Sequence, residues 1–138
     1  MPTAHVDTFA RDNLPPAGEQ PEFLFELPAL KFPAQLNAAT ELLDRHVGEG
    51  RGGRACIRAP GVTWTYAELQ DKADRVAQVL VHDMGLEPGN RVLLRAPNNP
   101  MLAACWFGVV KAGGIAVGTM PLLRAKELKA IIDKAQVT

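Results

Sequence analysis

From Trp64 onward the chain alternates short apolar runs with longer helix-like stretches, and this alternation constrains its fold more than any other feature. Residues 91–96 and 115–118 have the continuous apolar character of strands that lie inside a parallel sheet. Each of these runs is followed by a stretch long enough for a helix, with only short turns between them. The order strand, helix, strand, helix predicts an α/β fold, a layered sheet with parallel β-α-β crossovers.

Three segments after Trp64 carry the marks of helices. Thr65 and Glu68 fit a capping box, in which a hydroxyl and a carboxylate satisfy backbone amides reciprocally. Asn99 is placed as an N-cap with Pro100 at the first helical position, and the helix that follows is apolar nearly all round, which predicts burial on several sides. The first helix has an apolar stripe of Tyr66, Leu69, Ala73, Val76, Leu80 and Met84 and a water-facing side of Asp71, Lys72, Asp74, Arg75 and Gln78; the last, 124–136, turns Leu128, Ile131, Ile132 and Ala135 inward.

A further helix and a hairpin come before these units. Asn37 opens that helix, and its apolar stripe consists of Leu36, Ala39, Leu43 and Val47. Residues 54–58 and 62–64 predict two strands joined by a turn at Ala59-Pro60-Gly61. The intervening hexapeptide 48–53 matches G-x-G-x-x-G, the fingerprint of dinucleotide-binding loops. It follows a helix and precedes a strand, which reverses the order of that fingerprint, so we interpret it as a helix stop and a flexible turn.

Residues 1–35 differ in composition from residues 36–138. They are rich in proline, at Pro15, Pro16, Pro21, Pro28 and Pro33, and each proline disfavours helix in the residue before it. They also hold more apolar anchors than a disordered tail would, namely Phe9, Leu14, Phe23, Leu24, Phe25, Leu27, Leu30 and Phe32. We expect a Pro-rich N-terminal strap over 1–35, laid across a larger body, and a partial α/β subdomain over 36–138. Where that body is missing, some of the anchors would be exposed.

Charge and composition argue against several classes of partner. Lys plus Arg and Asp plus Glu each number 15, so the formal net charge is zero. With 6% aromatic residues and no basic stripe, the chain is not expected to bind nucleic acid. No apolar stretch reaches the roughly 18 residues of a membrane helix, and 101–110 is the nearest. Because the N-terminus is unlike a signal peptide and Cys56 and Cys105 fit buried, inert thiols, we expect a cytoplasmic protein.

Candidate functional residues are few. His5, His46 and His82 are scattered, and no set of His, Cys, Asp and Glu has metal-ligand spacing, so we predict no catalytic, cofactor-binding or metal residue in this sequence. The one functional candidate is the loop Ala96-Pro97-Asn98-Asn99, because ligands in open α/β sheets favour the C-terminal edge of parallel strands. A turn and an N-cap account for Asn98 and Asn99 without a ligand, and we favour that interpretation.

Two stretches go beyond a generic α/β pattern. Residues 63–69, Thr-Trp-Thr-Tyr-Ala-Glu-Leu, resemble the first core motif of the adenylate-forming superfamily, which holds acyl-CoA synthetases, adenylation domains of peptide synthetases and luciferases. Residues 110–117, followed by Pro121 and Glu127-Leu128, resemble the second, and the spacing between the motifs, filled by 88–92 and by Asn98-Asn99, is also similar. The likeness runs from about Asn37 to Thr138. The start, 8–16, resembles the N-terminus of aryl-CoA ligases of the benzoate and 2-aminobenzoate type.

This resemblance implies a two-step ligase that uses ATP, Mg²⁺ and coenzyme A. A carboxylate attacks the α-phosphorus of ATP and releases pyrophosphate, and the thiol of coenzyme A then displaces AMP from the acyl-adenylate to give a thioester. In the superfamily the phosphate loop, the acidic residue, the ribose-binding aspartate and the mobile-domain lysine lie in later motifs, none of which occurs in these 138 residues. We therefore expect the opening third or less of an aryl- or acyl-CoA ligase, inactive by itself. The acid stays open between aromatic and aliphatic, since residues that shape the acyl pocket lie mostly downstream.

The resemblance leaves some alternatives open. The last helix carries Arg124, Lys126, Lys129 and Lys134, which we interpret as a solvated face, with contact to the 3′-phosphate of coenzyme A as the alternative. The protein could instead be an amino-acid adenylation domain or a non-catalytic, stand-alone α/β binding module. Since a further strand is expected just after Thr138, a sheet that lacks it would have an unpaired edge open to self-association.

Overall fold

The structure, a computed structural model, describes residues 3–138 and contains both strands and helices in the predicted order. The strands are β1 (Ala55–Ala59), β2 (Val62–Thr65), β3 (Arg91–Arg95) and β4 (Ile115–Thr119). The α-helices are α1 (Phe9–Asp12), α2 (Tyr66–Gln78), α3 (Pro100–Lys111) and α4 (Ala125–Ala135). Wider, π-helical turns occupy Thr40–Asp44, Val47–Arg51 and Val79–Asp83, and single 3₁₀ turns occupy Ala17–Glu19 and Pro28–Leu30. Among the described helices, none is both long and apolar enough to cross a membrane.

The parallel crossover predicted from the sequence is present. β3 pairs with β4 in parallel along its whole length, from Arg91 opposite Ile115 to Arg95 opposite Thr119, and α3 connects the two strands. On its other edge, Arg91 forms a parallel bridge with Val137, and the Thr138 N–H donates to the Arg91 carbonyl at 3.1 Å. β3 therefore lies between β4 and the chain that follows α4. The α/β fold class is confirmed.

The predicted hairpin is also present. β1 and β2 are antiparallel, with Ala59 opposite Val62 across the turn Pro60-Gly61 and a register shift at Cys56. Upstream, the helical turns run to Arg51 and a short turn leads into β1, so the glycine-rich hexapeptide joins a helix to a strand, as predicted.

The core lies where three helices meet: α2, α3 and the early helix, the one that contains the turn Thr40–Asp44. Leu43, Leu69, Ala73 and Ala104 form one buried cluster, against which Phe107 packs. The helix starts are those predicted from capping residues: Thr65 Oγ1 accepts from the Glu68 N–H at 3.2 Å, and the Thr65 N–H donates to the Glu68 carboxylate at 2.8 Å. At α3 the Leu102 N–H donates to Asn99 Oδ1 at 2.9 Å.

Some burial predictions were wrong at the ends of the helices. Met84 is 69% exposed, because the π-helical turn Val79–Asp83 rotates the chain less per residue than an α-helix, and a stripe spaced for about 3.6 residues per turn drifts off the core. Leu36 is exposed because it precedes the N-cap Asn37, whose Oδ1 accepts from the Ala39 N–H at 2.9 Å. Ile132 is also exposed on α4, which has no fully buried residue.

The apolar helix α3 is not covered on every side. Ala104, Gly108 and Val109 are buried against α2 and the sheet, but Met101 and Trp106 are 45% and 38% exposed. Burial on several sides was therefore predicted correctly for the face toward α2 and incorrectly for the face that carries Met101 and Trp106.

Candidate functional site

The loop 96–99 lies at the carboxyl end of β3, beside the carboxyl end of β4, as its position after a parallel strand predicted. Arg95, the last residue of β3, donates from its guanidinium to the carbonyls of Pro121 at 2.7 Å and Leu123 at 2.9 Å. These bonds hold the chain that follows β4 against the end of β3. In open α/β folds ligands bind at this edge of the sheet, and in this chain hydrogen bonds from Arg95 fix the chain that follows β4 on one side of it.

Two open cavities flank that loop. One, of about 470 Å³, is lined mainly by Ile57, Leu102 and Trp106, and the other, of about 560 Å³, by Leu94, Leu102, Trp106 and Met120. Asn98 borders both cavities, and Asn99 borders the first. Asn99 uses its side-chain oxygen to cap α3, so the N-cap interpretation of this residue is confirmed. The walls are largely apolar and hold no general acid or base, so this region can support a binding site but supplies no proton-transfer group of its own.

The second motif, 110–117, forms the junction between α3 and β4. Gly113 has a φ of +79°, and a Cβ on it would lie 3.1 Å from Pro88 Cβ. Its carbonyl accepts from the Gly89 N–H at 2.8 Å. The glycine therefore ends the helix and lets two loops pack closely, which is a scaffold role.

Lys111, in the same motif, takes part in an ion cluster that was not predicted from the sequence. Its ammonium pairs with Asp74 of α2 and, at 2.6 Å, with Asp44 of the early helix, and its side chain is only 13% exposed. Burial disfavours the charged ammonium, but the bonds to Asp44 and Asp74 outweigh it and raise the pKa of Lys111. The side chain of Asp74 is 48% exposed, so it faces water in part, as expected; its pairing with Lys111 was not predicted. The available signal was a lone lysine at the end of an apolar helix.

Arg91 forms a second unpredicted cluster, at the amino end of β3. The residue is 5% exposed, and its guanidinium pairs with Asp7 of the strap. Hydrogen bonding to Arg91 holds the pKa of the Asp7 carboxyl below its usual value, aided by the Phe9 N–H. This cluster lies at the opposite end of β3 from the loop 96–99.

The remaining candidate residues do not come together. His46 stacks on Tyr66 with ring centroids 4.5 Å apart and accepts from Arg51, whereas His5 is half-buried and His82 is exposed. Cys56 and Cys105 are both free and half-buried, and burial raises the pKa of Cys56. Within residues 3–138, no three His, Cys, Asp or Glu side chains are grouped as a metal site. The basic residues of α4, Arg124, Lys126, Lys129 and Lys134, are exposed.

Comparison with known proteins gives concordant matches. The family described as AMP-binding enzyme matches residues 43–138. A salicyl-AMP ligase / salicyl-S-ArCP synthetase of Mycobacterium tuberculosis is 47% identical over 64 residues, which are 46% of this chain and 11% of that protein. A benzoate–CoA ligase of Thauera aromatica is 29% identical over 105 residues, 76% of this chain and 20% of that protein.

Solved structures match as well. The crystal structure of an anthranilate CoA ligase in complex with anthranoyl-AMP aligns with a TM-score of 0.72 and 26% identity, over 80% of this chain and 21% of that one. The chain thus spans between 11% and 21% of the length of the relatives described here.

Proposed function

This chain belongs to the family of AMP-binding enzymes, and on that premise we propose that it is the N-terminal part of an ATP-dependent carboxylic acid–CoA ligase that works through an acyl-adenylate. One observation carries the proposal: the unit built from α2, β3, α3 and β4 matches the family through residues 43–138 and aligns with a ligase that holds its acyl-adenylate. Relatives named for benzoate, salicylate and anthranilate favour an aromatic acid as the substrate. A cytoplasmic location remains part of this proposal.

The residues of this chain do not fit ATP or Mg²⁺ by themselves. Within the described residues there is no cluster of metal-ligating side chains, and the glycine-rich hexapeptide joins a helix to a strand instead of opening a helix. We therefore assign no step of the reaction to any side chain here. The chain's contribution is a scaffold: it presents the apolar wall around Asn98 at the carboxyl edge of the sheet.

The reaction is tested in the longer ligase of which we propose this chain is a part. Pyrophosphate release is measured with ATP, Mg²⁺ and either benzoate, 2-aminobenzoate, salicylate or acetate, and the 138-residue chain is assayed in parallel. We expect release with at least one aromatic acid, weaker release with acetate, and none from the chain alone. Absence of release by the longer protein with every acid would contradict the proposal, and release by the chain alone would contradict its scaffold role.

One finding favours a different acceptor for the acyl group, a carrier-protein thiol in place of coenzyme A. The relative with 47% identity is named for transfer to an aryl carrier protein rather than to coenzyme A. The candidate function is then activation of an aromatic acid for loading onto a carrier-protein thiol. The two are separated by supplying coenzyme A or a phosphopantetheinylated carrier to the adenylate-forming protein and measuring which thioester accumulates. An amino-acid adenylation domain would instead release pyrophosphate with amino acids and not with benzoate.

We further propose that the 138-residue chain alone self-associates. Within the described residues, β3 has a full partner on one edge and only the Arg91–Val137 bridge on the other. An open parallel edge offers unpaired backbone groups to a second chain. Size-exclusion chromatography with light scattering should show dimers or larger species, and a clean monomer would contradict this.

A further inference from the structure

Arg91 carries a buried positive charge that the core motifs do not explain. It is the first residue of β3 and is 5% exposed, so its guanidinium has to be paired and hydrogen-bonded within the protein. Its NH1 group donates to the Gly89 carbonyl at 2.8 Å, its Nε to the Ala135 carbonyl at 2.9 Å and its NH2 to the Gln136 carbonyl at 2.8 Å. The one anion it pairs with in the described part of the chain is Asp7.

Hydrogen bonds hold residues 6 and 7 of the strap beside the Arg91 guanidinium. The N–H groups of Val6 and Asp7 donate to the Pro88 carbonyl at 2.9 and 3.0 Å, and Asn90 Nδ2 donates to the Asp7 carboxylate at 3.0 Å. The Phe9 N–H donates to the other carboxylate oxygen of Asp7 at 2.9 Å, so both oxygens have partners.

Two further features fit the strap to this surface. The Phe9 ring lies 4.8 Å from the Arg91 guanidinium carbon, within cation–π distance. Gly89 has a φ of +96°, and a Cβ there would overlap the Asp7 carbonyl oxygen. The strap can approach the loop this closely because residue 89 has no side chain.

The opposite side of Arg91 faces the end of α4. Ala135 and Gln136 supply two of the helix's terminal carbonyls, which otherwise lack backbone partners. The next residue, Val137, bridges to Arg91 itself, and the Thr138 N–H donates to the Arg91 carbonyl. A single side chain thus connects the strap, the end of α4 and the first residues beyond it.

We propose that residues 5–9 act as an N-terminal clasp, which neutralises Arg91 and thereby fixes where α4 ends and where the chain that follows it joins β3. The partner of this surface is a segment of the same chain: an aspartate that accepts from the Asn90 amide and the Arg91 guanidinium, followed two residues later by an aromatic ring. Asp7 and Arg91 are positioning residues in this account. The inference does not depend on the proposed ligase activity.

Hydrogen exchange of backbone amides and of the Arg91 guanidinium, followed by NMR on the whole 138-residue chain, tests the clasp. In Asp7→Asn, the Arg91 guanidinium loses the carboxylate that pairs with it, and its bonds to the end of α4 are weakened. We therefore expect the Thr138 N–H and the Arg91 Nε–H to exchange roughly tenfold faster or more. The Leu69 and Ala73 amides in α2 should not change. Glu22→Gln, which removes an exposed strap carboxylate, is the matched control and should leave all of these rates as they are.

Two further variants separate a clasp from a general packing defect. Asp7→Glu keeps the carboxylate and should retain most of the protection, whereas Gly89→Ala should accelerate the same two hydrogens as Asp7→Asn because it pushes the strap away from the loop. Unchanged exchange in Asp7→Asn would overturn the proposal. Equal acceleration in α2 would overturn it too, because the clasp is proposed to act on the end of α4 and the chain beyond it.

Discussion

The two ends of the strap differ in a way that their composition does not suggest. Residues 5–9 contact the body through a buried ion pair and through three hydrogen bonds, two to the Pro88 carbonyl and one from the Asn90 side-chain amide. Residues 20–35 hold more aromatic and aliphatic side chains, yet Phe23 and Leu24 remain 67% and 65% exposed. Phe25 stacks on Phe23 and meets Phe32 edge-on, at centroid separations of 5.9 and 6.0 Å. Apolar content alone does not dock a segment; a complementary surface does.

Residues 20–35 therefore need a surface to cover them, whereas residues 5–9 already have one. Exposed aromatic clusters of this kind mark surfaces that another body covers. The proposal that this chain is about a fifth of a longer ligase supplies that body, because the relatives extend well beyond the region they share with it. The assignment of 1–35 to a strap and 36–138 to a partial subdomain remains a prediction.

The largest effect is expected from removing the cation at the docked end. Arg91→Met leaves the Asp7 carboxylate and three backbone carbonyls without their donor, and we expect a loss of about 3 kcal/mol in the free energy of unfolding. Arg75→Met is the matched control, since Arg75 is an exposed partner of Asp71 and surface pairs of this kind contribute little. Urea unfolding measures both. Equal effects of the two substitutions would remove the distinction between a buried anchor and a surface charge.

A smaller effect is expected from adding a methyl group where the strap approaches the loop. Gly89→Ala adds a side chain at a positive φ and against the Asp7 carbonyl, which we expect to cost about 2 kcal/mol. Gly18→Ala, at an exposed position between the two ends of the strap, adds a Cβ that meets no atom within 4 Å and should change stability by less than about 0.5 kcal/mol. If Gly89→Ala left the free energy of unfolding unchanged, the strap would not approach the loop as described.

The docked end should also respond to acid. The pKa of Asp7 in the folded state lies below the ordinary value of 3.8 for such a carboxyl, because Arg91 bonds to it, so its ionised form stabilises the fold above that pH. This contribution is lost as the pH falls from about 4 through the lowered pKa. The stability difference between the unmodified chain and Asp7→Asn, from urea midpoints at pH 7 and pH 3, should therefore shrink at the lower pH. A difference that stays constant or grows would contradict the ion pair.

The smallest effect is expected at the exposed end. Phe25→Ser removes a ring that is 52% exposed and whose aromatic neighbours are Phe23 and Phe32 of the strap. The free energy of unfolding of the 138-residue chain should therefore change by less than about 0.5 kcal/mol. A loss above about 1 kcal/mol would show that the body already holds this segment. In the longer ligase the same substitution should be more costly.

The sequence predicted the regular parts of this fold because their signals are local. Thr65 with Glu68, Asn99 with Pro100 and the reversed glycine hexapeptide each act within one turn of chain, and each was confirmed. The resemblance to the adenylate-forming superfamily was confirmed as well.

The clusters around Arg91 and Lys111 could not be predicted in the same way. Asp7 and Arg91 are 84 residues apart in sequence, and Asp74 and Lys111 are 37 apart, so their pairing depends on how the elements pack. Periodicity reports which face of one helix meets water, and Asp74 is 48% exposed, but it does not report which side chain the neighbouring helix brings to that face. That no catalytic residue lies in this chain remains a prediction.

The most direct test compares amide hydrogen exchange in two proteins, the 138-residue chain and the longer ligase. We expect backbone amides in residues 5–9 to be protected in both, and those in residues 20–35 to be protected only in the longer protein. That result would establish a clasp that belongs to this unit and a strap that needs the rest of the enzyme. Equal protection of residues 20–35 in the two proteins, or no protection of residues 5–9 in the short chain, would contradict the account.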